Sequence, residues 1–417
     1  MNRKPLLRIV AALAAVVVVA ACGSGNTGSK PGTGNQGASG GEIKLGLLAD
    51  LTGGYSSSFK SAEGGLKAYV QMINDQGGIN GSKLSYVVAD TTSTLPGAQT
   101  AAQQLVEKEK VFAIVEVSAV YSGAQTYLLR QGIPVAGGGF DGNEWTDPHN
   151  TNLFASTGAT DYKAVASVTG QFMKSQGVTS CGAVGYASSP SAIGAASSVV
   201  KSCEAAGLKN GYLNTQLAPG STDVGPIALA MKQAGVDGID VLVVPNTAFA
   251  LVAALKQAGV TPKAILLPTG YGSDLLASPP TVQAAQGFIF QSVGQPVEAN
   301  TPATQKQVAA LAKVGITSSP TFAQQESYIA AATVAAGLRA AGNNPTQKSF
   351  TDALRKVNNF DADGLLAPGK VDFNNFSQTP GGAGAAGCLF AARVQGDKFV
   401  PVEGLPLCGG AVPGVSN

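Results

Sequence analysis

The sequence predicts an α/β protein built as two doubly wound parallel-sheet lobes with a cleft between them. Apolar strand-like runs alternate with helix-patterned segments along the chain after residue 41, and they do so in two successive series. The part that can fold, roughly 380 residues, is too long for one small core and suits two. Strands separated by helices of this length imply parallel pairing, right-handed crossovers and helices on both sheet faces.

In the first series, Ile43 to Leu51, Leu84 to Asp90, Phe112 to Val117 and Ile133 to Ala136 read as strands. Ser61 to Gln76, Ala98 to Lys108 and Gly123 to Gln131 have helical spacing between them. A helix is predicted over Asp161 to Gln176, leading into strands at Gly182 to Tyr186, Gly211 to Leu217, Val241 to Pro245 and Ile265 to Pro268. Helices from about Ala192, from about Pro226 and over Ala248 to Ala258 separate those strands. In such sheets a ligand sits beyond the carboxyl ends of the strands, where loops and helix N-termini converge.

Ahead of this body, Asn2-Arg3-Lys4 and Arg8 precede an unbroken apolar run from Ile9 to Ala21 that stops at Cys22. The run is too short for an ordinary bilayer span, and small residues precede the expected cleavage point, so residues 1–21 read as an export signal. Val19-Ala20-Ala21-Cys22 resembles the bacterial lipobox, which implies diacylglycerol on the Cys22 thiol and a mature chain beginning there. Gly23 to Gly41 holds only Gly, Ser, Asn, Thr, Lys, Pro, Gln and Ala and cannot build a core. Residues 22–41 are therefore expected to be a flexible tether with a reach of roughly 25 Å, placing the body at the outer face of the cytoplasmic membrane.

Charged residues are 12% of the chain against a usual quarter, and the formal net charge is +2, which leaves no electrostatic footprint for nucleic acid. Besides Cys22 there are four cysteines, in a compartment that permits disulfides. Cys181 opens a strand and Cys203 closes the following helix, while Cys388 and Cys408 flank a terminal hairpin, so these two local pairs are expected among the three possible connectivities. No metal site is expected, because ligand spacing and a neighbouring histidine are both missing.

Several motif matches fail on context. Gly37-Ala38-Ser39-Gly40-Gly41 has the spacing of a hydrolase elbow but lies in the tether. Gly137 to Gly142 fits G-x-G-x-x-G, yet a loop follows it and it belongs to a fourth strand, so no dinucleotide or other cofactor is expected. Gly382, Gly384 and Gly387 repeat the spacing before a strand, in the wrong order. The only histidine, His149, sits in a turn-like Asp147-Pro148-His149-Asn150, and no arrangement of nucleophile and base supports an enzyme. After the third strand, Ser118-Ala119-Val120-Tyr121-Ser122 opens a helix whose hydroxyls and amides could hold an anion or simply cap the helix.

Ile43 to Gly53, Gly64-Gly65-Leu66-Lys67-Ala68, Ile73 to Gly81 and Lys83-Leu84 resemble the opening of the type I periplasmic binding proteins, most closely their leucine/isoleucine/valine-binding branch. The resemblance implies a non-catalytic, monomeric receptor of an ABC importer, in which two lobes joined by a three-crossing hinge close on a small ligand and deliver it to permease and ATPase subunits. Some relatives serve instead as sensors with a separate membrane signalling partner. On that pattern residues 42–155 and 293–362 form the N-terminal lobe and residues 156–292 and 363–417 the C-terminal lobe, with crossings near Ser156, near Gln291 and over Phe360 to Leu366.

The resemblance also implies a ligand site for an amino-acid-like or carboxylate molecule. Ser118 takes the place of the serine that holds a ligand carboxylate, and Gly139, Phe140 and Asp141 stand in the loop after the fourth strand. Tyr55 or Phe59 is the aromatic cover, with Tyr121 beside them. In the second lobe Thr247, Thr269 and Tyr271 follow strands. Amino-acid binders often carry an acid where Thr269 stands, and a buried ammonium without a counter-charge costs several kcal/mol. Either Asp141 or Asp274 replaces that acid, or the ligand is not an α-amino acid. Trp145, Tyr186 and Phe249 complete the aromatics expected near the cleft.

Overall fold

A computed structural model describes residues 41–139, 142–187, 189–218 and 220–417. The export signal, Cys22, the tether up to residue 40, Phe140 and Asp141 lie outside the described residues. The first sheet contains β1 (Glu42–Ala49), β2 (Lys83–Asp90), β3 (Ala113–Val117), β4 (Val135–Gly137) and β5 (Leu153–Ala155) in the order β2-β1-β3-β4-β5, all parallel. Later strands are β6 (Thr160–Ala166), β7 (Ser180–Tyr186), β8 (Lys209–Leu217), β9 (Gly238–Leu242), β10 (Ala264–Leu267) and β11 (Ile289–Gln291). They are followed by β12 (Thr379–Gly381), β13 (Cys388–Leu389), β14 (Ala391–Gln395), β15 (Lys398–Pro401), β16 (Leu407–Cys408) and β17 (Ala411–Ser416).

The second large sheet runs β15-β14-β11-β10-β9-β7-β8. Its parallel part repeats the order of the first sheet, and a hairpin, β14 with β15, is added antiparallel at the β11 edge. The strands buried on both faces are largely apolar runs, as AILL in β10, while β3 (AIVEV) and β9 (GIDVL) each bury one acid, Glu116 and Asp240.

The helices are α1 (Ser56–Phe59), α2 (Ala62–Asp75), α3 (Leu95–Gln103), α4 (Ser122–Gln131), α5 (Val168–Ser175), α6 (Pro190–Ala205), α7 (Gly225–Gln233) and α8 (Pro245–Gln257). Then come α9 (Ser273–Leu276), α10 (Pro279–Ala284), α11 (Pro302–Lys313), α12 (Phe322–Ala341) and α13 (Gln347–Leu354). Helix α12 opens with a capping box, Thr321 with Gln324, and packs on α2, α13, β3 and β4 of the first sheet. Gly65 permits that crossing, since a Cβ there would stand 1.8 Å from the Gln324 carbonyl oxygen.

One sequence expectation is corrected. The helix predicted over Asp161 to Gln176 is a strand, β6, followed by the shorter α5. Residues 160–166 pair with β12 on one side and β17 on the other, so tertiary pairing overrides the local helical pattern. The sequence reading also passed over β5, whose three residues are too few to show a period. The strand predicted from Val241 begins earlier, at Gly238, which brings Asp240 inside it.

Both local disulfides are present. Cys181–Cys203 ties β7 to α6 with its Cα atoms 6.4 Å apart, and Cys388–Cys408 joins the paired β13 and β16 at 4.0 Å. Among the described residues no helix is long and apolar enough to cross a membrane, and no cluster of His, Cys, Asp and Glu could hold a metal ion.

Candidate site at the strand ends

A cavity of about 250 Å³ lies where loops following the carboxyl ends of both sheets converge. Ala119 follows β3, Gly138 follows β4 and Thr157 follows β5; Ser189 follows β7, Val243 and Val244 follow β9, and Pro268 and Thr269 follow β10. Tyr55, Ser58, Phe59 and Phe322 close the first-sheet side, with the Phe59 and Phe322 rings edge to face at 6.2 Å. On the other side the cavity runs under α6, between Ala192, Ala195, Val199 and the small residues Gly382 to Ala385. Tyr162 and Tyr186 add hydroxyl-bearing rings to a wall that is otherwise mostly apolar.

Of the residues expected to bind ligand, Tyr55, Phe59 and Thr269 line this cavity. Gly139, Ser118, Tyr121, Thr247 and Tyr271 are not among its lining residues, and each has a structural occupation. Gly139 has φ +75° and abuts Ala155, where a Cβ would come within 2.3 Å. Tyr121 is fully buried against Trp145, their rings 5.2 Å apart. Thr247 is buried beneath the lining, its hydroxyl 3.2 Å from the Tyr186 hydroxyl. Phe249 packs on Phe288 in the second core. Asp274 is solvent-exposed in α9 and is not among the lining residues, and partial desolvation raises its carboxyl pKa.

Ser118 is the most informative departure. Its hydroxyl donates to Oδ1 of Asp50 at 2.6 Å, the Ala119 amide donates to Oδ2 at 2.8 Å, and the Thr91 hydroxyl donates to Oδ1 as well. The anion that the helix-opening loop holds is therefore the chain's own carboxylate, fully buried at the end of β1. Burial raises the Asp50 pKa while these three donors oppose the rise.

Tyr271 belongs to a clasp between the loop after β10 and the start of α12. Its hydroxyl donates to Glu298 at 2.7 Å, Ser319 donates to the other Glu298 oxygen at 2.7 Å, and the Phe322 amide donates to the Tyr271 carbonyl at 2.8 Å. Gly272, at φ +129°, lets that loop approach, since a Cβ would stand 2.4 Å from the Thr321 Cα. Burial, then the Glu298 charge, pushes the Tyr271 hydroxyl pKa well up.

Two lining residues with carboxyl side chains escaped the sequence reading, Asp240 of β9 and Glu326 of α12, each only 2% exposed. Burial raises the Asp240 carboxyl to about 7. The signal was in the sequence: an acid inside Gly238-Ile239-Asp240-Val241-Leu242-Val243-Val244 and another in the Ala-rich α12 are costly unless something uses them. Among the described residues, no Lys, Arg or His lines the cavity.

Two parallel sheets of like strand order, with a cavity between their strand-end loops, define a protein that encloses a small molecule. The periplasmic binding protein family model matches residues 42–398, so the chain belongs to that family, one of extracytoplasmic binding proteins rather than enzymes. No curated protein matches it by sequence. Solved structures share the fold. A fatty acid ABC transporter substrate-binding protein from Thermomonospora curvata is 22% identical, with 88% of this chain and 95% of that one covered at a TM-score of 0.65. The branched-chain amino acid transporter substrate binding protein LivJ of Streptococcus pneumoniae, in complex with isoleucine, is 19% identical over 87% and 99% at 0.69. An R. palustris ABC transporter solute binding protein in complex with benzoate is 18% identical over 89% and 98% at 0.69.

Proposed function

We propose that this protein is the lipid-anchored solute-binding receptor of an ABC importer, held at the outer face of the cytoplasmic membrane through diacylglycerol on Cys22. The observation that carries the reading is the cavity bounded by strand-end loops of both sheets, since a ligand there touches two bodies at once and favours the arrangement that closes on it. The segments near Ser156, near Gln291 and over Phe360 to Leu366 serve as the hinge between lobes 42–155 with 293–362 and 156–292 with 363–417. The receptor acts as a monomer and passes its solute to permease and ATPase subunits.

An amino-acid-like or carboxylate ligand, which the sequence resemblance implies, would be held by hydroxyl and amide donors alone. No basic side chain lines the cavity among the described residues, and Ser118 already serves Asp50. A cysteine engineered on each side of the cavity, at Ser58 and Ser191, tests closure. Crosslinking that accelerates in the presence of a bound solute supports the reading, and a rate indifferent to every solute that binds contradicts it. Cys22→Ala tests the anchor: the protein should move from the membrane fraction to the soluble one.

A further inference from the structure

Asp240 lies in the middle of β9, and side-chain alternation places it on the same sheet face as Leu242, which packs under α6. Both residues line the cavity. Asp240 is 2% exposed, the Val241 amide hydrogen-bonds to its carboxylate, and no described group hydrogen-bonds to Oδ1. A buried carboxylate oxygen left without a donor costs roughly 1–3 kcal/mol or more, so a group that faces a cavity in this condition is set up to receive a donor from outside the chain.

The surroundings fix what that donor can be. From β7 the titratable neighbour lining the cavity is Tyr186, from β6 it is Tyr162, from the α1 loop Tyr55, and from α12 Glu326; β10 contributes none. On α6, Lys201 reaches the Ser416 carbonyl and Glu204 is exposed, both beyond the lining residues, while Cys181 and Cys203 are joined in a disulfide. Two carboxyl groups and, among the described residues, no cation make the cavity unfavourable for an anion and favourable for a positive charge. Tyr and Phe faces stabilise a cation further.

We propose that the cavity selects an organic ammonium ion with an apolar body and no carboxylate, and that Asp240 holds its nitrogen. The proposal rests on reading the cavity as the solute site of a binding protein. Recognition is coupled to protons. The empty site keeps the Asp240 carboxyl protonated through slightly acid pH, because burial holds its pKa near 7. An arriving ammonium ion requires the ionised form, so Asp240 releases its proton to solvent as the ion binds, and affinity climbs with pH until the carboxyl is ionised without help.

The test uses the full chain in lipid nanodiscs and titration calorimetry with phenethylammonium and hexylammonium. Hydrocinnamate and hexanoate serve as carboxylates of matched shape, and leucine as an amino acid. The ammonium ions should bind at least about tenfold more tightly at about pH 8 than at about pH 5.5, with proton release at the lower pH, and more tightly than the carboxylates. Asp240→Asn should weaken them about tenfold or more and flatten the pH profile, with Asp240→Leu as a second variant and thermal unfolding to verify that each folds.

Failure of both ammonium ions to bind, or undiminished binding to Asp240→Asn, would overturn the proposal. Binding of the carboxylates or leucine in their place would overturn the ligand class and leave the receptor reading standing. Indifference to every solute, together with crosslinking rates that never change, would remove both.

Discussion

Two buried carboxylates, Asp50 at the end of β1 and Asp240 in the middle of β9, sit near the same cavity and behave in opposite ways. Asp50 is surrounded by donors from three residues of its own chain, Ser118, Ala119 and Thr91. Asp240 lines the cavity, and among the described residues no group donates to one of its oxygens. The difference teaches that a polar residue in a binding-protein cleft is identified as a ligand contact by what it lacks. Ser118 occupies the position the sequence pattern assigns to a ligand carboxylate, and the fold has filled that role with an aspartate of its own.

The largest expected effect concerns Asp240 and stability. Its carboxyl titrates near 3.8 when unfolded and near 7 when folded and empty. The folded state therefore binds the extra proton, so this group's contribution is fully present below about pH 4 and is lost as pH rises to about 7. The loss amounts to up to about 4 kcal/mol. Denaturant titrations across that range should show a decline in stability that Asp240→Asn removes. An identical slope in the variant would place the titration elsewhere.

Asp50→Ala should destabilise the protein by about 3 kcal/mol, because it leaves the Ser118, Thr91 and Ala119 donors buried without an acceptor. Equilibrium unfolding in urea measures this. The comparison breaks if Asp50→Ala instead creates tight carboxylate binding at no stability cost, for then the aspartate would be only a placeholder. Removing the Cys181–Cys203 link by paired serine substitution should cost a similar amount, about 3 kcal/mol for a loop of this size, and should leave ligand affinity nearly unchanged.

Tyr271→Phe is a smaller perturbation, about 1 kcal/mol, since it deletes one donor to Glu298 and the acceptor of the Val297 amide while Ser319 keeps the other Glu298 oxygen paired. Its expected consequence is a looser clasp between the β10 loop and the start of α12, read as faster hydrogen exchange at residues 270–273 and 319–322. Ser118→Ala should have the least influence on solute binding, less than about twofold, because its hydroxyl is spent on Asp50. Titration calorimetry with whichever solute binds the unaltered protein checks it.

Much of the architecture was legible because it rests on local pattern. The strands of both sheets are mostly apolar runs bounded by turn residues, and the helices between them have helical spacing, so their order could be read from residue 43 to residue 136 and again from residue 182 to residue 268. Both disulfides join neighbouring elements and followed from sequence order. The segment Thr160 to Ala166 failed because its partners, β12 and β17, lie more than 200 residues away. The site was less legible for the same reason. Tyr55 and Phe59, at the ends of the short α1, and Thr269, in the loop after β10, are brought to the cavity by strand order alone. Asp240, Glu326 and the Gly382 to Ala385 wall come from a strand interior, a helix and a late loop that only the folded chain assembles.

Titration of Asp240 itself is the most direct measurement. With aspartate side-chain carboxyls labelled with carbon-13, its resonance, assigned by loss in Asp240→Asn, should show a midpoint near 7 in the empty protein and move down when phenethylammonium is added. A midpoint in the ordinary aspartate range in the empty protein, or one that the ammonium ion leaves unmoved, would contradict the account.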